Sequence, residues 1–155
     1  MRVEDKLKQM GLEMHEVGKP IASYVYVKRV GKLLYLSGHG PFVGRENRQV
    51  YKGKVGREIS IEQAMDAARI AALNCLSSIK AAIGDLDRVK SIVRVTAYVR
   101  CDDNLDDYYT VVDVASDLLI TLFGDAGKHS RMAIGICQLP RGVPIAMDMI
   151  VEVAD

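Results

Sequence analysis

The chain has little that would tie it to a membrane, a metal or a nucleic acid. It contains no tryptophan, two phenylalanines and 6% aromatic residues, which leaves few rings on which bases could stack. Twenty-one Lys and Arg against twenty Asp and Glu give a formal net charge of +1, so no overall field draws it onto a polyanion or an anionic lipid surface. No stretch approaches the ~20 apolar residues of a membrane span, and no secretory apolar core follows Met1. The three cysteines, Cys75, Cys101 and Cys137, are odd in number and far apart. They read as thiols in a reducing compartment, and the expected location is the cytoplasm. A zinc-type cysteine pair is missing, and His15, His39 and His129 form no His-x-x-x-His pattern, so neither a metal nor a cofactor is expected. The glycines of "SGHG" lack the following helix that a phosphate loop requires. No repeat or low-complexity tract divides the chain.

What is present is the material of an ordinary soluble domain: 155 residues, 49% hydrophobic and 26% charged, enough for a sizeable core. We read one domain over 1–155, with a helix and connector in 1–20 and the core in 21–155. Val3, Leu7, Met10 and Leu12 fall at near-helical spacing, and Gly11 is a plausible stop. Tyr24 to Val30 and Lys32 to Ser37 are β-rich runs split by Gly31, a hairpin. Val43 to Arg57 reads as a loop with a short strand near Val50. Ser60 and Gln63 form a capping-box signature, followed by an apolar stripe from Ile61 to Ile83 that stops at Gly84. "RVKSIVRVTAYVR" alternates, with Val93, Val95, Ala97 and Val99 on one face and Arg94, Thr96, Tyr98 and Arg100 on the other. A second helix carries Val111, Ala115, Leu118 and Leu122 and ends at Gly124. Two strands, Arg131 to Leu139 and Ile145 to Val153, complete the chain.

This order predicts an α+β sandwich of one mixed sheet with two long helices on one face and a short N-terminal helix. The last two strands are apolar on both sides, so the face without helices needs a cover, and a homo-oligomer is the expected one. Arg131 stands at the head of a strand and is followed on alternate positions by Ala133, Gly135 and Cys137. A guanidinium beside side chains too small to fill the space around it suggests an anion site in an intersubunit cleft, with an ion pair as the plainer reading.

The segments "YVYVKRVGKLLYLSGHGP", "ALNCLSSIKAAIGDLDRVKSIVRVTAYVR" and "HSRMAIGICQLPRGVPIAMDMIVEV" together resemble the RidA/YjgF family, from Tyr24 to the C-terminus, in a longer-chain branch. The resemblance implies a chorismate-mutase-like fold and a homotrimer with ligand clefts between subunits. It also implies hydrolysis of 2-aminoacrylate-type enamines or imines to 2-keto acids and ammonia. Arg131 matches the arginine that grips the substrate carboxylate, the candidate catalytic and substrate-binding residue. Tyr24 matches the tyrosine that closes the pocket, and Gly38 the glycine whose backbone faces the ligand. His39 stands where the family has glutamine and is the fourth candidate substrate-binding residue. Ala133 replaces a cysteine, Ala146 replaces the first acidic residue of E-x-E with Asp148 at the second, and Asp113 stands where short members often carry asparagine. Alanine at 146 cannot hold a water. A non-catalytic metabolite-binding trimer is therefore the alternative, while the endoribonuclease or translation-inhibitor activity attached to some members fits poorly with the charge and the scarce aromatics.

Overall fold

Ser60 starts the longest helix as its sequence predicts. In the computed structural model, which describes residues 1–155, its hydroxyl accepts from the Gln63 N–H at 3.1 Å while the Gln63 side chain accepts from the Ser60 N–H at 2.9 Å. The helix α2 runs over Ile61–Ile83 and stops at Gly84, whose φ of 82° costs a glycine nothing. Ala64, Ala67, Ala68, Ala71 and Ala72 are fully buried; side chains this small let the helix axis approach the sheet closely. The helix α3, Thr110–Phe123, packs beside it with Val111, Val112, Ala115, Leu118, Leu119 and Leu122 inward. The short α1, Val3–Gln9, docks through Val3 and Leu7. Met10, expected on that stripe, is exposed because the helix has ended before it.

Five strands form one sheet in the order β1 (Val27–Val30), β2 (Leu33–Leu36), β7 (Ile145–Val153), β5 (Val89–Arg100), β6 (Ser130–Ile136). The pair β5–β6, joined by the α3 crossover, is parallel and every other pair is antiparallel. Both long helices lie on one face, where Ile145, Met147, Met149, Val151 and Val153 of β7 are buried. The other face carries Tyr35, Tyr98, Met132, Ile134 and Ile150 and is covered by no helix; Met132 is 48% and Tyr35 44% exposed.

Two further local expectations differ from the structure. Val93 is exposed, because register shifts between Ile92 and Arg94 put two residues, Val93 and Arg94, between the buried Ile92 and Val95. The hairpin is shorter than its β-rich runs, since Tyr24 to Tyr26 leave the ladder and only Val27 to Val30 pair with β2. The 43–57 loop does hold a short strand near Val50, β4 (Arg48–Gln49), which pairs with β3 (Phe42–Val43), and Val55 bridges to Cys101.

Candidate functional site

Arg131 pairs with Val95 across the β5–β6 ladder. Val95 points under the helices, so Arg131 does too, and being on the outermost strand it reaches α3 at the edge of the core. Its Nη1 donates to Asp113 Oδ1 at 2.7 Å and to Ser116 Oγ at 3.2 Å, two side chains one turn apart on α3. Behind Ser116 stands His129, whose Nε2 is 2.9 Å from the serine oxygen and whose Nδ1 is 2.6 Å from the Gly127 carbonyl. A carbonyl only accepts, so Nδ1 carries the proton in the neutral ring. Nε2 then accepts from the Ser116 hydroxyl, whose oxygen in turn accepts from Arg131. This row holds the guanidinium by one nitrogen. Nε and Nη2 make no hydrogen bond within the chain, and the side chain is 24% exposed.

The small residues that follow Arg131 are partly explained by the chain itself. A Cβ on Gly135 would lie 3.1 Å from the Tyr108 ring and 3.2 Å from Cys101 Sγ, so that position is small to admit a tyrosine from the loop before α3. Ala133 packs against the core, and Cys137 lies past the end of β6, exposed.

Tyr24, Gly38 and His39 come together on the opposite side of the sheet, Gly38 and His39 just past β2 and Tyr24 just before β1. They line a cleft of about 50 Å³ with Tyr26, Phe42 and Asn74. Tyr24 and Tyr26 meet edge to face at 6.1 Å, and Tyr26 lies 4.9 Å from the His39 ring. Gly38 opens onto free space, with nothing within 4 Å of where a Cβ would stand. His39 is turned inward: 4% exposed, Nδ1 to the Ser37 carbonyl at 2.7 Å and Nε2 to Ser78 Oγ at 2.7 Å. Burial holds its pKa below the ordinary imidazole value, against the opposing pull of the Ser37 carbonyl, so the ring is neutral with both nitrogens committed. His39 bridges to Met147 of β7 in line with β2, so three strand steps separate it from β6, roughly 14 Å at the usual ~4.8 Å spacing. One chain therefore holds the Tyr24 cluster and Arg131 apart.

Ala146 and Asp148 lie on the helix-free face of β7, on the other side of the sheet from Arg131. Burial raises the Asp148 pKa above the ordinary carboxylate value, and Arg94 partly opposes the rise. The sheet itself keeps Asp148 from a ligand on Arg131 of the same chain.

Two polar residues escaped the sequence reading. Ser116 shares the α3 edge with Asp113 three residues before it, a spacing that could have paired them. Asn74, 8% exposed, donates to the Gly40 and Phe42 carbonyls at 2.9 and 2.6 Å and ties the "SGHGP" turn to α2; an amide inside an alanine-rich stripe was its signal. A groove of about 910 Å³ lies elsewhere, between the 14–19 segment and the end of α2. Two of its cations are already paired, Arg45 with Glu16 and Lys80 with Glu4.

Residues 4–150 match the model of the YjgF/chorismate mutase-like, putative endoribonuclease family. Protein TCP17 of Trypanosoma cruzi is 33% identical over 152 residues, 97% of this chain and 94% of that protein. A putative endoribonuclease from Shewanella oneidensis MR-1 has a similar solved structure, with a TM-score of 0.93 and 30% identity over 99% of this chain and 100% of that one. Atu1372 of Agrobacterium tumefaciens, described as of unknown function, gives a TM-score of 0.89 and 32% identity over 99% of this chain and 94% of that one. The mixed five-stranded sheet under two long helices and a match spanning nearly the whole sequence lead to one assignment: the chain belongs to the YjgF family and has its chorismate-mutase-like fold.

Proposed function

We propose that this chain is the subunit of a homo-oligomer, a trimer in keeping with the family resemblance, that binds a small carboxylate metabolite at Arg131 in a cleft between subunits. The observation that carries the reading is the division of the pocket. Arg131 stands at one sheet edge with Nε and Nη2 unengaged, the cleft of Tyr24 and Gly38 stands towards the other, and the sheet face without helices has no cover. Two copies packed sheet to sheet would bring opposite edges together. The three free thiols suit a reducing compartment such as the cytoplasm, and no helix is long and apolar enough to cross a membrane.

The chemistry of the reading is hydrolysis of 2-aminoacrylate. The enamine tautomerises to the imine, water adds at the imine carbon, and the adduct expels ammonia to leave pyruvate. Arg131 anchors the carboxylate through this sequence. A carboxylate able to hold the water is missing at Ala146, and Asp148 lies across the sheet, which favours a second reading: a metabolite-binding oligomer without turnover. The endoribonuclease named for the Shewanella relative is disfavoured here by the net charge of +1 and the few aromatics.

Generating 2-aminoacrylate with a dehydratase and following pyruvate release separates the first two readings: acceleration by wild type that Arg131→Ala abolishes supports the deaminase. Identical rates with wild type and Arg131→Ala reject it. Titration of a panel of two- to four-carbon 2-keto and 2-amino acids tests binding itself, and a panel in which nothing binds through Arg131 rejects both. RNA cleavage that survived purification and required the intact chain would revive the third reading.

A further inference from the structure

We propose that Ser116 and His129 form a nucleophile–base pair, giving this chain an acyl-transfer activity on small activated esters or thioesters. The hydrogen bonds leave one direction for the serine proton. A guanidinium only donates, so Ser116 Oγ accepts from Arg131 Nη1 at 3.2 Å and its own proton goes to His129 Nε2 at 2.9 Å. The far ring nitrogen, Nδ1, is committed as a donor to the Gly127 carbonyl at 2.6 Å. A hydroxyl on a base that is itself fixed by a third group is the arrangement that activates a serine. Ser77 shows what a helical serine does without such a partner: its hydroxyl turns back to the Leu73 carbonyl, one turn earlier on α2, at 3.0 Å. Ser116 makes no such bond to its own helix.

The third group is rigid. Gly127 is buried where a Cβ would lie 2.2 Å from the Leu119 carbonyl oxygen, so its own carbonyl holds the ring in one place. Ser116 and His129 are both partly exposed, open to a small ligand. In the reaction Oγ bonds to the ester carbonyl carbon while its proton passes to Nε2. The oxyanion formed on that carbon lies two bonds from Oγ, in reach of the Nη1–H that had pointed at the serine. The adduct then breaks its bond to the leaving group, which takes the proton from the imidazolium. Water repeats the sequence, and Ser116 is freed as the acid departs. The substrate class follows from what holds the ring. A backbone carbonyl carries no charge to balance an imidazolium as a buried aspartate does, so the pair suits groups that leave with little help, thiolates and aryl oxides. The proposal is independent of the carboxylate reading, because it uses Nη1 whereas a carboxylate takes the free Nε–Nη2 edge.

Treatment of the intact protein with a fluorophosphonate, followed by peptide mass spectrometry, reads the nucleophile directly. Wild type is expected to take one phosphonyl group per chain, on Ser116, and to release a burst of nitrophenolate from 4-nitrophenyl acetate equal to the chains present. His129→Gln is expected to slow the labelling about a hundredfold or more, the usual share of a general base. Ser116→Ala, which suits a helix, is expected to abolish both label and burst. A wild type that takes no label at Ser116 overturns the proposal whatever the variants do. So does a burst that Ser116→Ala leaves unchanged, or a labelling rate that His129→Gln leaves unchanged, since a serine that only steadies Arg131 needs no base.

Discussion

His39 illustrates how burial changes what a residue type can do. By position it belongs with Tyr24 and Gly38, yet its ring is 4% exposed with both nitrogens bonded inside the chain, so it shapes the cleft wall as a neutral group. That neutrality has a thermodynamic signature. The folded pKa lies below the ~6.5 of a free imidazole, so the unfolded chain binds more protons as the pH drops through that value. The His39 contribution is complete above about pH 6.5 and is lost as the pH falls below it towards the depressed folded value. Urea unfolding at pH 7.5 and pH 5.5 is expected to show a steeper loss of stability in wild type than in His39→Gln, which cannot titrate there. Equal slopes would contradict a buried neutral ring. Arg131 teaches a parallel lesson: its residue type and strand position were readable, but its partner lies 18 residues away on another element.

At the scale of elements, the meeting of α3 with β6 depends on one glycine. A Cβ on Gly127 would sit 2.2 Å from the Leu119 carbonyl oxygen and 2.9 Å from the Ile120 Cα, both backbone atoms that cannot swing aside. The same residue's carbonyl accepts from His129, so this close approach also sets the row His129–Ser116–Arg131. Gly127→Ala is expected to cost about 3 kcal/mol by overpacking and to weaken Arg131-dependent ligand binding. Denaturant unfolding measures the first, and a loss under about 0.5 kcal/mol, the size of an ordinary surface change, would mean the turn relaxes freely. The start and stop of α2 were legible because its capping box and terminal glycine act through neighbours in sequence. The β5 bulge at Val93 was not, since it is a mismatch with β7 that strict alternation cannot register.

For the whole molecule the governing fact is a sheet with helices on one face and Tyr98, Met132, Ile134 and Ile150 on the other. Exposed apolar surface of this kind is stabilised by covering it. Ile134 stands opposite Tyr98 in the ladder, and Ile134→Asp places a charge that would be buried between subunits and unpaired. Multi-angle light scattering is expected to change from a trimer in wild type to a monomer in the variant at micromolar concentration, with the helical circular dichroism kept and carboxylate binding lost although Arg131 is intact. A wild-type monomer, or a variant still trimeric, would remove the intersubunit cleft from the reading.

Local pattern by itself determined the helices, the order of the elements, the one-sided helical cover and the residue types around which a site could be built. These follow from periodic burial and end-capping, which operate over a few residues. Tertiary structure alone decided that Arg131 faces α3 and is held by Asp113 and Ser116, and that Tyr108 fills the space beside Gly135. It also turned His39 inward onto Ser78, 39 residues away, and put the Tyr24 cluster three strand steps across the sheet from Arg131. Those outcomes depend on strand order and register, which are set by long-range pairing and by the packing of both helices against one face. No window of neighbouring residues encodes them.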